Sequence, residues 1–355
     1  MNRLGTTRGH LAEAVIVAAL AALGPLPADA CTRCLKGFAD GTVVVGRSMD
    51  WVEDPGSELW IFPRGMRRHG NSGPGSLEWT SRYGSVAVSF YGVASVDGMN
   101  EKGLVANTLY LAESDYGAPV AGRPNLSIGG WAQFVLDSYA TVAEAVTALE
   151  QEPFTIIAPV LPNGEAGVGH LAISDLSGDS AIFEFLGGQL KIHHGRQYTV
   201  MTNSPPYDEQ LALDAYWQEI GGDVMLPGTI RASDRFVRTR YYIDAIPHDR
   251  TGIEAIASVF SVIRNASAPL GITTAGKPNV ASTIWRTVHD QKDRVLYFDS
   301  ATSPTVFWVP LERVDLTAGA GVRRLPLTGG ETYSGDASGA FRPARAFEFL
   351  KAQPQ

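Results

Sequence analysis

The chain has 355 residues, 45% of them hydrophobic and 19% charged, and a net charge of −8. That is enough apolar material for a sizeable core. An acidic chain without a Lys/Arg cluster is excluded as a binder of phosphate backbones, so no nucleic-acid partner is expected.

The first thirty residues read as an export signal. Arg3 and Arg8 lie in a polar segment, Ala14 to Leu23 is a short apolar run, and Gly24, Pro25 and Pro27 break any helix. Ala28-Asp29-Ala30 then matches the small-x-small pattern of signal cleavage. Residues 1–30 are expected to be removed, leaving a periplasmic or secreted protein over 31–355. A buried Ala-rich helix is the bland alternative. A lipoprotein signal is another, because a cysteine follows the cleavage point, but Ala28 stands where a lipobox wants Leu. After residue 30 no apolar run is long enough to span a bilayer, and no stable membrane anchor is expected.

From residue 31 to 112 the pattern is mostly strand. Thr32–Phe38 and Thr42–Asp50 flank Asp40-Gly41, which suits a tight hairpin turn. Leu59–Pro63, Val86–Val96 and Leu104–Leu111 follow, the last two joined by a turn from Asp97 to Gly103. Ile128–Tyr139 reads as a helix, and Thr141 caps a second with Glu144 at capping-box spacing. Strands resume at His170–Ser174, Ser180–Phe185, Leu190–His193 and Gln197–Thr202. Helices over Tyr207–Glu219, Ser233–Ile246 and Ile253–Ile263 precede strands at Ile284–His289, Val295–Phe298 and Val306–Val309. Strand blocks separated by helix blocks predict an α+β layered fold, here one domain without a linker.

Cys31-Thr32-Arg33-Cys34 holds both cysteines of the chain. In an exported protein this spacing suggests a disulfide or a redox pair. Redox pairs usually open a helix, whereas this segment reads as a strand, where residues three apart point to opposite faces. Zinc binding lacks a second ligand pair. Cleavage after Ala30 would instead give Cys31 a free α-amine, whose ordinary pKa of about 7.7–8.0 lets it accept the thiol proton. Nucleophile and base then share one residue. The seven histidines, including His170, His193, His194 and His289, have no catalytic frame and read as structural or surface residues. Gly271 to Lys277 imitates a phosphate loop, but Pro278 replaces the hydroxyl residue that would bind magnesium.

Cys31-Thr32-Arg33 followed by Gly46-Arg47-Ser48-Met49-Asp50-Trp51 resembles the opening of the choloylglycine hydrolase family, the N-terminal nucleophile group of penicillin V acylases and bile salt hydrolases. The likeness continues through Leu77-Glu78-Trp79-Thr80, Asp97-Gly98-Met99-Asn100, Met201-Thr202-Asn203-Ser204-Pro205, Ala232 to Arg238 and Ser334 to Gly339. The resemblance implies a four-layer αββα sandwich, two antiparallel sheets between helical layers, and a cofactor-free hydrolase of linear amides. It implies Cys31 as nucleophile, Arg47 as a charge favouring the thiolate, Asp50 as the carboxylate orienting the α-amine, Asn203 as an oxyanion donor and Arg235 as a second active-site arginine. Tyr110 stands where bile salt hydrolases carry Asn and penicillin V acylases an aromatic residue, so Tyr110 and Trp51 are expected to line an apolar acyl site. The Asn203–Arg235 segment is shorter than in Gram-positive members, where an insertion helps hold a tetramer; a homo-oligomer stays open. The expected partner is a small-molecule amide such as penicillin V or an acyl-homoserine lactone. A bile salt hydrolase is the alternative within the family, and an exported CxxC redox protein or a lipidated binding module the alternatives outside it.

Overall fold

The computed structural model describes residues 31–222, 224–272 and 281–353. The expected leader over 1–30 and most of the loop through Lys277 lie outside the described residues. The first strands are β1 (Thr32–Gly37), β2 (Val43–Trp51), β3 (Leu59–Phe62), β4 (Arg67–His69), β5 (Glu78–Thr80), β6 (Ser85–Phe90), β7 (Ala94–Asn100) and β8 (Val105–Leu109). After β9 (Asn125–Ser127) come helices α1 (Trp131–Ser138) and α2 (Val142–Leu149), then β10 (Thr155–Ile157), β11 (His170–Ser174), β12 (Ser180–Leu186), β13 (Gln189–His194) and β14 (Val200–Met201). Helices α3 (Tyr207–Glu219), α4 (Ala232–Ala245) and α5 (Gly252–Asn265) precede β15 (Ser282–Asp290), β16 (Val295–Ser300), β17 (Val306–Pro310), β18 (Arg323–Leu325), β19 (Gly335–Asp336) and β20 (Arg342–Pro343).

One sheet runs β14-β1-β2-β15-β16-β17-β19 and the other β13-β12-β11-β8-β7-β6-β3-β18-β20. Both are antiparallel apart from the short β17–β19 pairing. Helices α4 and α5 pack on β1, β2 and β15, while α1 lies on β7 and β8 and α2 on β12. The inner faces meet in one apolar cluster that joins Val45 and Val288 to Val88, Ala172 and Ile182. Alternate residues of the second sheet, such as Ala106, Leu171 and Phe183, turn outward to Trp131, Val135 and Val142 in a separate cluster, as the two-residue period of a strand requires. The result is an αββα sandwich, the expected fold class.

Strand β2 is buried along its whole length because it lies mid-sheet with α5 on one side and the second sheet on the other. A Cβ at Gly46 would sit 2.9 Å from Val259 Cγ1 and 3.3 Å from Cys34 Sγ, so glycine there lets α5 approach. The Thr141 cap forms as expected, its hydroxyl accepting from Glu144 N at 3.2 Å. Glu144 closes the box one residue further out, on Ala140 N at 2.9 Å.

The expected single strand Val86–Val96 is instead the hairpin β6–β7, turned at Tyr91-Gly92, whose φ values are 53° and 64°. The turn is hidden in sequence because apolar residues surround it. Asp97 to Asn100, read as a turn, belong to β7. The Gln197–Thr202 strand shrinks to Val200–Met201, and Ile128–Gly130 is a 3₁₀ turn ahead of α1.

Candidate active site

Two β-bulges shape the site. Between β6 and β7, Val88 pairs with Asp97 and Ser89 with Ser95, so Val96 is the extra residue. Its carbonyl, free of the ladder, accepts from Arg47 Nη1 at 2.8 Å, and the Thr108 carbonyl accepts from Nη2 at 2.9 Å. Between β2 and β15, Asp50 pairs with Thr283 and Met49 with Trp285. Thr283 then donates its hydroxyl to Asp50 Oδ1 at 2.5 Å. Such bulges re-aim backbone and side chains at functional edges.

Cys31 directly precedes β1 and is 2% exposed. Its thiol lies 3.8 Å from Met49 Sδ and 3.6 Å from the Asp50 carbonyl. Its backbone nitrogen donates to Asn203 Oδ1 at 2.6 Å. In the 355-residue chain this nitrogen is the amide joined to Ala30. Burial raises the thiol pKa, an effect that Arg47 and Arg235 oppose and Asp50 reinforces. Cys34 faces the other way, against α5, and burial pushes its thiol up to about 12. Both cysteines are free.

Asn203 sits between strand β14 and helix α3. Its Nδ2 donates to the Tyr110 carbonyl at 2.7 Å, and its Oδ1 also accepts from Arg235 Nη2 at 3.1 Å. A side-chain amide carries two N–H hydrogens, and the Tyr110 carbonyl takes one of them. Gln210, on the buried side of α3, holds the loop by donating to the carbonyls of Asn203 and Pro205 and accepting from Thr202 Oγ1. Arg235 is on the first turns of α4 and wholly buried, unlike an ordinary helical arginine. Its guanidinium crosses to the Cys31 carbonyl at 2.6 Å and to Thr32 Oγ1. Burial lowers its pKa while Asp50 and Cys31 act against that.

The Asp50 carboxylate accepts from Thr283 and, at 3.4 Å, from Ser48 Oγ. Burial pushes it up to about 6, against the pull of Arg235. The Cys31 N–H itself goes to Asn203 rather than to Asp50. A peptide amide has one hydrogen to give; a freed amine would have more, and that is the state to which the Asp50 expectation refers.

Cys31, Arg47 and Met49 share an apolar pocket with Trp51, Phe90, Thr108, Tyr110, Ile128, Leu161 and Val168. Trp51 stands edge-on to Phe90 at 5.2 Å and to Tyr110 at 5.8 Å, and its indole donates to Tyr91 Oη at 2.9 Å. Thus Arg47, Trp51 and Tyr110 line one cavity with Cys31, and Asn203, Arg235 and Asp50 surround the same residue from behind.

Sequence reasoning missed the group behind Arg47. Asp97, fully buried, lies 3.6 Å from Arg47 Nη1 and accepts from His289 Nε2 at 2.6 Å, Thr287 Oγ1 at 2.9 Å and Asn107 Nδ2 at 3.0 Å. Burial would raise its pKa, yet His289 and Arg47 hold it below the ordinary carboxylate value. His289 is therefore a structural histidine with a defined task, fixing Asp97. Period-two patterning places Asp97 and Val96 on opposite faces, but the bulge that creates the Arg47 seat leaves no sequence signal. Among the described residues no group of three or more His, Cys, Asp or Glu could hold a metal ion, and no helix is long and apolar enough to cross a membrane.

The family model described as linear amide C–N hydrolases, choloylglycine hydrolase family, matches residues 31–324. A penicillin V acylase from Pectobacterium atrosepticum is 47% identical over 353 residues, covering 92% of this chain and 94% of the relative. The structure of a penicillin V acylase from Agrobacterium tumefaciens superposes with a TM-score of 0.85 at 53% identity, covering 90% of this chain and 99% of the other. A variant of a conjugated bile acid hydrolase from Clostridium perfringens shares the fold, with a TM-score of 0.72 at 20% identity over 86% of this chain and 98% of the other.

Proposed function

The chain belongs to the choloylglycine hydrolase family of linear amide C–N hydrolases, and from that premise we propose that, exported and trimmed to Cys31, it cleaves amides of aryl-oxyacetyl or alkyl acids through an acyl-thioester. The observation that carries this reading is the convergence on Cys31: a thiol facing an apolar pocket, and a backbone nitrogen 2.6 Å from Asn203 Oδ1.

In this reading the freed α-amine of Cys31 takes the thiol proton as sulfur attacks the acyl carbonyl. The new C–S bond forms while the carbonyl becomes an oxyanion, met by the second Nδ2 hydrogen of Asn203 and by the backbone N–H of Tyr110. The C–N bond then breaks, and the ammonium returns its proton to the departing amine. Water, deprotonated by the same amine, attacks the thioester; the C–S bond breaks and sulfur is reprotonated. Arg47 favours the thiolate, Arg235 holds the Cys31 carbonyl and the Asn203 amide in place, and Asp50 receives the charged amine.

The pocket supports an extended or single-ring acyl group. The cavity beside the thiol opens to solvent and is lined almost wholly by apolar side chains, Trp51, Phe90, Tyr110 and Ile128 among them. The character of this lining, which suits an alkyl chain or a single ring, is what supports the reading. Tyr110 and Trp51 add flat apolar faces, worth about 0.5–1.5 kcal/mol beyond area burial when an aromatic group packs on them. Penicillin V presents an aryl group of this kind, and a long-chain acyl-homoserine lactone an extended alkyl chain.

Cys31→Ala is expected to abolish turnover while Cys34→Ala keeps most of it, and N-terminal sequencing of the exported protein should begin at Cys31. Equal loss in the two folded variants would return the redox reading. On one preparation, kcat/KM for penicillin V and for a long-chain acyl-homoserine lactone should exceed that for glycocholate. A preference for glycocholate would replace this reading with the bile-salt one.

A further inference from the structure

Part of the acyl pocket comes from elsewhere than the catalytic strands, including Val93 at the β6–β7 turn, Ile128 and Gly129 in the 3₁₀ turn, and Leu350 near the C-terminus. Leu350 belongs to a segment without regular structure that lies beyond the residues 31–324 matched by the family. Nothing in its own conformation holds it there, yet its seat is well defined. Leu350 N donates to Val93 O at 2.7 Å, and the Leu350 carbonyl accepts from Ser127 Oγ at 2.7 Å. On either side Asn71 Nδ2 donates to Phe349 O, and Ala352 N donates to Asn71 O at 3.0 Å. Phe349 is buried, stacks on Trp79 at 6.0 Å, and lies against Gly130, where a Cβ would come within 3.1 Å of it.

We propose that this C-terminal strap sets the acyl-chain selectivity of the enzyme, with Leu350 as the residue that limits acyl length. Among the described residues the thiol's neighbours are Met49 and Asp50, whereas the hydrogen bonds of Phe349, Leu350 and Ala352 go to Asn71, Val93 and Ser127. On this proposal the strap stands at the wall of the cavity away from the sulfur, where the far end of an acyl group would lie. The backbone bonds fix the strap whatever side chain stands at 350, so the side chain alone adjusts the depth. Leucine there stops a chain that Ala would let pass, and a larger ring would stop it sooner. This inference rests on the acyl-pocket reading above.

The test is a series of N-acyl-homoserine lactones with acyl chains from six to fourteen carbons, hydrolysed by the full mature enzyme. Each further methylene buried is worth about fourfold in kcat/KM. Leu350→Ala should move the optimum about two carbons longer and Leu350→Phe should move it shorter, in opposite senses from one site. Lys351→Ala, whose side chain is exposed on the same strap, should keep the wild-type profile and thereby separates side-chain depth from general loosening. Thermal unfolding of each variant shows that it is folded. An unchanged optimum in both folded Leu350 variants, with an active wild type, overturns the strap proposal and leaves the acyl-pocket reading intact. A wild type that cleaves none of the series yet cleaves glycocholate overturns the acyl-pocket reading and this proposal with it.

Discussion

Asp97→Asn is the most informative perturbation of the site's foundation. The substitution keeps shape and volume, so no cavity term enters; what changes is the charge, together with one accepting oxygen that becomes a donating NH2. Arg47 and Asp97 are both fully buried, 3.6 Å apart. Removing one partner of such a pair costs about 3–5 kcal/mol because the other charge stays buried and uncompensated. The Val96 and Thr108 carbonyls and the Trp285 ring, 4.9 Å from the guanidinium, still hold Arg47 but bring no net charge, which places the expected loss near the lower end, about 3 kcal/mol. Against a total stability of about 5–15 kcal/mol the variant still folds. The thiol should respond in the opposite sense: with Asp97 neutral, Arg47 acts on Cys31 undiminished, and the thiol pKa falls. Urea unfolding with an unchanged m-value reads the first effect, and the pH profile of iodoacetamide alkylation at Cys31, in a Cys34→Ala background, reads the second. Because the folded-state pKa of Asp97 is depressed, its contribution is present above the unfolded value and lost as pH falls through the folded one, so the two proteins should converge in acid. A stability loss below about 1 kcal/mol with an unshifted alkylation profile would refute the coupling of Asp97 to the thiol through Arg47.

Asp50, pushed up to about 6 by burial, should impose an acid limb on kcat/KM near that pH. A free ammonium beside it would draw the limb lower, and Asp50→Asn should erase it while slowing the reaction by roughly 10²-fold. The same raised pKa means that the contribution of Asp50 to stability is present in acid and lost as pH rises through about 6, so Asp50→Asn should gain on wild type above that pH in urea unfolding. Asn203→Ala should lower kcat by about 10²–10³-fold without comparable change in KM; equal losses in both would assign Asn203 to substrate binding instead. Gly46→Ala, which drives a Cβ to 2.9 Å from Val259 Cγ1, should cost about 1–3 kcal/mol through overpacking against α5, seen as a lower urea midpoint.

Much of this protein was readable from sequence because much of it is local. Asp40-Gly41 announces a hairpin, Thr141 and Glu144 announce a helix start, and the strand pattern around Cys31-Thr32-Arg33-Cys34 already sends the two sulfurs to opposite faces. The run from Cys31 to Trp51 and the segment around Asn203 carry the family resemblance, and with it the α+β sandwich and amide hydrolysis. The structure alone decided what seats those residues. Arg47 is held by the Thr108 carbonyl and by the Val96 carbonyl freed at a bulge, which period-two patterning cannot register because a single inserted residue leaves composition unchanged. The turn at Tyr91-Gly92 is masked by apolar neighbours, and His289 becomes meaningful only when β15 brings it to Asp97, 192 residues away in sequence. The pocket wall at Leu350 is the extreme case: its segment has no periodicity to read, and its position follows from hydrogen bonds to Val93 and Ser127 that exist only once both sheets have packed.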